Sequence, residues 1–514
     1  MEKQEKIWVV DLGSQYTQLI ARSIRELNVY SEIKHSDVTA EEVSREKPLG
    51  IILSGGPAST YEFGSPTIDE RILSLGIPIL GICYGLHLMG RLFGGRVVGA
   101  QAQEYGKTEL QVIDASSPLF SGLNPELICW MSHGDILAEA PAGFTVTART
   151  FHSPVAAMEN RRRKLFAIQF HPEVTHTPWG MNLLRNFAFE VCGAAGTWKV
   201  SSFVDESVER IRELVKDSRV LVALSGGIDS LTTAVLVQRS VGKQLFCIFV
   251  DHGLMRLKEA DQVESVFRRQ FAANFRRVNA GERFLRKLKG VEHPERKRKI
   301  IGAEFVSVFE EEALRLKDVR FMAQGTIYPD VIESRGVGRL GRVIKTHHNV
   351  GGLPKKMKLK LLEPLRDLFK DEVRKVALSL EVPESVVHRQ PFPGPGLAIR
   401  IIGKVTRSKI KLLQLADAIL QEELTSSEIY TDIAQAFCVL PTIRSVGVMG
   451  DQRSYGYPII VRVVTTVDFM TADWAKIPYP VLERISSRII NEVPKVNRVA
   501  YDISSKPPAT IEWE

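Results

Sequence analysis

Cysteine is scarce in this chain: five thiols in 514 residues, at Cys83, Cys129, Cys192, Cys247 and Cys438. An odd count, wide spacing and no CxxC pair exclude a disulfide framework and structural zinc, so the expected compartment is a reducing cytoplasm. No apolar run approaches the ~18 residues a membrane helix needs. The first apolar stretch, Ile7 to Val10, stops at Asp11, too short for the core of a secretory leader. Internal repeats, low-complexity tracts and RNA-recognition motifs are also missing. Charge of one sign is only mildly in excess, with 68 Lys plus Arg against 60 Asp plus Glu and a net charge of +8. The basic runs at 161–164, 295–299 and 355–358 read as solvated faces, or as contacts for a nucleic acid or a phosphorylated small molecule; charge alone does not separate these. What is present is ordinary for a globular protein, 44% apolar and 25% charged, with length for about three domains.

Short apolar runs alternate with helical patterns in the first third. Ile7-Trp8-Val9-Val10, Ile51-Ile52-Leu53 and Ile77 to Ile82 read as buried strands, and Gln18 to Leu27 as a helix. The alternation restarts after the small-residue stretch Gly193 to Thr197. There Val220 to Leu224, Leu245 to Val250 and Phe321 to Gln324 read as strands, with a helix at Leu231 to Val237. Gln390-Pro391-Phe392-Pro393-Gly394-Pro395-Gly396 cannot continue a helix or a central strand. Beyond it helical and strand patterns mix, as at Ile459 to Val464. The expected fold class is α/β: two doubly wound domains with mostly parallel sheets, at 5–192 and 199–389, then a smaller α+β domain at 390–514. Sites in such sheets lie at the carboxyl ends of strands.

At one such strand end stands Gly81-Ile82-Cys83-Tyr84-Gly85. GxCxG between strand and helix is the cysteine form of a nucleophile elbow. The glycines let the chain turn sharply enough to lift the sulfur out of the sheet. The helix N-terminus favours a thiolate, which can form well below the free-thiol value of ~8.5. The N–H of Tyr84 and a second from the Gly55-Gly56 turn would form an oxyanion hole, with Gly56 as the donor. A base and its orienter are supplied by Gln169-Phe170-His171-Pro172-Glu173, which gives the triad Cys83, His171, Glu173. His133, in Ser132-His133-Gly134-Asp135, is the rival base. The alternative for Cys83 is a plain buried cysteine.

With these motifs and Ser54-Gly55-Gly56-Pro57, residues from about 5 to 192 resemble a class I glutamine amidotransferase domain. The resemblance implies hydrolysis of the glutamine side-chain amide through a glutamyl thioester, releasing ammonia. One position departs: that family usually has glutamine four residues after the nucleophile, where it is thought to contact the amino-acid end of the substrate. This chain has His87, a departure that bears on glutamine affinity more than on the chemistry.

The second domain opens with Ser225-Gly226-Gly227-Ile228-Asp229-Ser230 between a strand and a helix. The glycines let N–H groups line an anion-sized concavity and the helix adds its dipole. Two serine hydroxyls face phosphate, and Asp229 is the candidate Mg²⁺ ligand. The Walker-type GxxxxGK run, with its phosphate-gripping lysine, is missing. The loop resembles that of the adenine nucleotide α-hydrolases, with Ile228 where valine is usual. This implies ATP cleavage at the α-phosphate, adenylation of a substrate oxygen and release of pyrophosphate.

Three further stretches stand out: Lys297-Arg298-Lys299, placing cations before a helical segment; Gln324 to Ser334, carrying Asp330 and Glu333; and Lys345 to Gly352. With the tail from Lys495 to Glu514, they make the whole chain resemble the glutamine-hydrolysing GMP synthase family. That resemblance implies glutamine, ATP and XMP as substrates, with XMP adenylated at the C2 oxygen, ammonia attacking and AMP leaving. It puts XMP contacts on Arg298, Gln435, Arg498, Lys506, Ile511 and Glu512. It puts an ATP lid on Lys345, His347 and His348, with Asp330 and Glu333 nearby. It also implies a homodimer formed through the third domain, and neither a nucleic acid nor a membrane partner. The rivals are another ligase with this loop, such as NAD synthetase, a tRNA-modifying enzyme with this loop, and a pseudoenzyme with dead sites. NAD synthetase uses a nitrilase-type glutaminase, which the GxCxG and His-Pro-Glu pair contradicts.

Overall fold

The computed structural model describes residues 5–271, 274–316, 318–335, 359–449, 452–466 and 471–514. They fall into two compact units, one of residues up to 202 and one of residues 203–334 together with 359 onward.

Runs of β-branched and other apolar residues too short for helices set the frame of the first unit. Its strands are β1 (Lys6–Asp11), β2 (Tyr30–His35), β3 (Gly50–Leu53), β4 (Ile79–Ile82), β5 (Arg96–Val112), β6 (Glu126–Glu139), β7 (Thr145–Arg149), β8 (Ala157–Asn160) and β9 (Leu165–Ile168). Among the described residues they form one sheet in the order β2-β1-β3-β4-β9-β8-β7-β5-β6. The run from β2 to β9 is parallel. β3, β4 and β9 are buried at every residue, as strands covered on both faces must be. The remaining pairings are antiparallel. That half escaped the sequence reading because its strands are only half buried. β6, for instance, alternates buried and half-buried positions along part of its length.

Among its described residues the second unit carries two sheets. β10 (Arg219–Leu224), β11 (Leu245–Asp251), β12 (Phe275–Asn279), β13 (Val319–Ala323) and β14 (Lys360–Leu362) form a sheet in the order β12-β11-β10-β13-β14. All of its pairs are parallel. The helix Ile228–Val241 follows β10 and is buried on nearly all sides. In the other sheet β17 (Gln452–Thr465) pairs antiparallel with β15 (Gln435–Val439), β16 (Ser445–Met449) and β18 (Asp473–Trp474), and parallel with β19 (Val496–Tyr501). One buried cluster runs from Leu221 and Ile248 of the first sheet to Val461 and Val463 of the second. The proline-rich stretch at 390–396 is therefore packed. Gln390 Oε1 accepts from the N–H of Ala436 at 2.9 Å, and Leu397 N–H donates to Leu254 O at 2.8 Å.

The helix Tyr84–Leu92 crosses β3 so closely that a methyl group on Gly85 would stand 2.6 Å from Leu53 O and 3.0 Å from Leu53 Cβ. Backbone cannot yield there as a flexible side chain would. Gly85→Ala is expected to cost about 1–3 kcal/mol, read as a lowered thermal or urea midpoint. An unchanged midpoint would mean that the contact is not tight.

Candidate active site

β4 ends at Ile82 and the next helix starts at Tyr84, so Cys83 makes the whole turn, at φ +54° and ψ −104°. A non-glycine residue in such a region carries strain of about 1–3 kcal/mol. Backbone hydrogen bonds hold it: Cys83 N–H donates to Ile168 O at 2.8 Å, and the N–H groups of Leu86 and His87 donate to Cys83 O at 3.0 and 3.2 Å. Tyr84 N–H belongs to the first helical turn, where amides have no intrahelical acceptor. The Tyr84 ring is buried and its hydroxyl donates to Pro66 O at 2.6 Å. The turn after β3 adjoins the same point. A Cβ built on Gly56 would lie 3.4 Å from Tyr84 Cγ, and one on Gly55 would lie 3.6 Å from Cys83 Cβ and 3.3 Å from His171 Cε1. The turn that holds Gly56 therefore packs against Tyr84, and its neighbour Gly55 lies beside Cys83 and His171.

His171 follows β9, the neighbour of β4, with Gln169 and Phe170 between. Its Nδ1 lies 2.8 Å from Glu173 Oε1, so that nitrogen donates to the carboxylate. Its backbone is clamped on both sides, with N–H donating to Trp130 O at 3.0 Å and C=O accepting from the Thr177 hydroxyl at 2.7 Å. The Tyr16 ring packs edge-on at 5.3 Å. Burial pulls the imidazole toward its neutral form. The Glu173 carboxylate and a hydrogen bond to Cys83 outweigh this and hold its pKa well above the ordinary histidine value. The rival base, His133, is engaged otherwise: Nε2 lies 3.3 Å from the buried Glu104 and Nδ1 is 2.9 Å from Asp135 O. Glu104 also accepts from Thr150 and Ser153, at 2.8 and 2.6 Å.

In the second unit the phosphate loop closes on itself. Ser225 N–H donates to Ser230 Oγ at 3.2 Å, the two serine hydroxyls are 3.1 Å apart, and Gly227 N–H donates to Ser225 Oγ at 3.3 Å. Ile228 and Asp229 open the helix Ile228–Val241, and Gly226 takes φ +84°. Lys370 Nζ bonds both oxygens of Asp229, at 2.7 and 2.6 Å. Lys370 is the first residue of the helix Lys370–Ser379. A cation there opposes the helix dipole, so its charge answers to Asp229. This lysine reaches the loop from 141 positions away in sequence, and no local motif betrays it. Asp330 lies on the helix Tyr328–Arg335, where its Oδ2 accepts from Ile327 N–H at 3.0 Å. Glu333 is on the same helix. Lys345, His347 and His348 lie outside the described residues.

The tail engages Gln435 through Glu512 and Arg298 through Glu514. Glu512 accepts from Arg400 at 2.8 and 3.1 Å and from Gln435 Nε2 at 2.9 Å. Arg298 donates to the backbone carbonyl of Glu514. Lys297 is fully buried and donates to Ala398 O, Ile401 O and the Glu514 carboxylate. The cations at 297–299 therefore sit inside the helix Pro294–Ala313 rather than before it, and Lys297 is no part of a solvated face. Arg400 was missed in sequence, where it is one cation among 68, and Lys297 stood out only as part of a cationic run. Ile511 packs with Phe437, Val439, Val464 and Ala472. Arg498, on β19, donates instead to Ser445 Oγ at 2.7 Å. The backbone of Lys506 pairs with that of Ala472.

Residues 8–191 match the family model described as glutamine amidotransferase class-I, and residues 422–513 match that of the GMP synthase C terminal domain. The glutamine-hydrolyzing GMP synthase of Acetivibrio thermocellus is 57% identical over 511 residues, which is 99% of each chain. The chain belongs to the glutamine-hydrolysing GMP synthase family. Its relatives of the same description in Carboxydothermus hydrogenoformans and Geobacillus kaustophilus are each 55% identical, covering 99% of this chain and 99% and 100% of their own. The two family-model matches lie on either side of the loop at 225–230.

Neutralising Glu173 should let burial dominate His171. Glu173→Gln is expected to lower the pH at which the imidazole loses its proton, seen by NMR, and to cut glutamine hydrolysis roughly 10²–10⁴-fold. Full activity in that variant would remove Glu173 from the triad.

Proposed function

We propose that this protein converts XMP to GMP with ammonia taken from glutamine, and that residues 5–192, 199–389 and 390–514 divide the work as glutaminase, adenylating domain, and XMP-binding and dimerisation domain. One observation carries the reading: a Cys83–His171–Glu173 constellation and a serine-glycine phosphate loop stand in one chain whose full length aligns with GMP synthases.

The Cys83 sulfur attacks the amide carbon of glutamine. Charge developing on the carbonyl oxygen meets the N–H groups of Gly56 and Tyr84, fixed before the substrate arrives. His171, held as an imidazolium beside Glu173, gives its proton to the departing nitrogen, and ammonia leaves. It then takes a proton from the water that cleaves the thioester, yielding glutamate. In the second unit ATP lies with its outer phosphates against the loop at 225–230. The C2 oxygen of XMP attacks the α-phosphorus and pyrophosphate departs. Ammonia adds at C2 and AMP leaves, a far better leaving group than the bare oxygen.

The donor set suits Mg²⁺: this ion usually takes one or two carboxylates together with substrate phosphates, and Asp229, at the start of the helix after the loop, supplies a carboxylate that Lys370 holds in the structure. Bound there with ATP, Mg²⁺ would neutralise phosphate charge. Lys370 would supply the cationic grip that the loop itself lacks. For XMP, Arg298, Gln435 and Glu512 offer charge and hydrogen bonds. All five cysteines are free thiols, and no helix among the described residues is long and apolar enough to cross a membrane; both accord with a cytoplasmic enzyme. Ile443, Val446, Val448 and Tyr455 expose apolar surface on and beside the β16–β17 hairpin. That is where we place the contact with a second copy.

Two substitutions separate the half-reactions. Cys83→Ala is expected to abolish GMP formation from glutamine while ammonium salt still supports it. Asp229→Ala is expected to stop release of AMP and pyrophosphate with either nitrogen source. Both are read by chromatography of an assay containing ATP, Mg²⁺, XMP and glutamine or ammonium. Loss of both activities in Cys83→Ala, or continued pyrophosphate release in Asp229→Ala, would overturn the assignment.

A further inference from the structure

His87 stands on the helix behind the Cys83 elbow, four residues after the sulfur, and is 3% exposed. Its Nε2 lies 2.7 Å from Oε1 of Gln169, which has no exposed surface. An amide oxygen only accepts, so the ring proton is on Nε2. That contact leaves the other end of the carboxamide, the Nε2 amine, directed at Cys83 Sγ 3.9 Å away. Gln169 is in turn held by its own backbone, N–H donating to Ala156 O at 2.8 Å.

We propose that His87 is a positioning residue for the glutaminase: it locks the Gln169 carboxamide with its amine toward the Cys83 sulfur. A carboxamide has two nearly isosteric ends with opposite polarity. Turned one way it donates to a developing thiolate; turned the other way it sets oxygen lone pairs against that sulfur. Only a fixed donor at the far end decides between them. A neutral imidazole with its proton on Nε2 is such a donor. Burial lowers the His87 pKa to about 4, with the charge of His133 acting the same way and the Gln169 contact and Asp135 opposing it. The ring therefore stays neutral while His171, next but one to Gln169, is protonated. The residue thus faces inward, toward the nucleophile's support.

This inference rests on Cys83 being the nucleophile, and its test is separable from that reading. In the full-length enzyme, circular dichroism and the thermal midpoint of each variant measure folding, and ammonium-driven GMP formation is the control for the second unit. His87→Leu is expected to lower kcat for glutamine roughly 10- to 100-fold, the worth of one hydrogen bond to a charged group. KM for glutamine should hold within about twofold, and alkylation of Cys83 by iodoacetamide should slow in step with kcat. His87→Gln, which restores a donor, should recover most of the loss. Gln169→Leu should reproduce the effect, and the double variant should be no worse than Gln169→Leu. A rise in KM with kcat unchanged, or losses that multiply in the double variant, would overturn the proposal. Should His87→Leu not fold, His87→Gln and Gln169→Leu carry the same comparison. Retained glutamine-dependent activity in Cys83→Ala would instead strike at the nucleophile itself.

Discussion

The first unit depends on one strained residue. Cys83 bridges a buried parallel strand and a helix in a conformation that side chains rarely adopt, with φ +54°. The strain persists because the surroundings over-determine it: the neighbouring strand accepts its N–H, the helix caps on its carbonyl, and Gly85 lets that helix press against β3. Every other element of the thiol site is placed relative to this point. β3 ends in the turn that brings Gly55 beside Cys83, the helix begins at Tyr84, and β9 leads to the histidine. A parallel sheet collects these groups because it stacks its strand ends side by side.

The second unit uses the same architecture for a different chemistry. Its serine-glycine loop is held by its own amides and hydroxyls and carries no cation of its own. The positive charge comes from Lys370, at the start of another helix and bound to Asp229 in the structure. A lysine held by a carboxylate on both oxygens is kept in place beside the loop. The chain end is treated in a related way. Lys297, Arg400 and Arg462, all without exposed surface, bond to Glu514, Glu512 and the carbonyl of Ser504. Buried cations of this kind are costly to leave unpaired, so they fix the last residues of the chain against the unit.

Much of this was legible in the sequence because it is local. Buried strands announce themselves as apolar runs, and GxCxG, His-Pro-Glu and SGGxDS each specify a turn together with the groups it presents. The antiparallel half of the first sheet was not legible, since half-buried strands such as β6 carry a weak pattern. Lys370 was invisible for a different reason: its partner is remote in sequence, and a lysine at a helix start looks like any surface charge. The cations at 295–299 were read as a surface run or a phosphate contact, whereas Lys297 points into the interior of its helix packing. His87 registered only as a departure from an expected residue. Its tie to Gln169 emerges from the fold, which brings the helix after β4 beside the chain leaving β9.

The central claim is that nitrogen released at Cys83 is the nitrogen installed on the purine. Glutamine labelled with ¹⁵N at the side-chain amide, given with ATP, Mg²⁺ and XMP to the full-length enzyme, tests it most directly by mass spectrometry of the nucleotide product. GMP should carry the label, with one AMP and one pyrophosphate formed for each GMP. Unlabelled GMP, or labelled ammonia accumulating with XMP untouched, would contradict it.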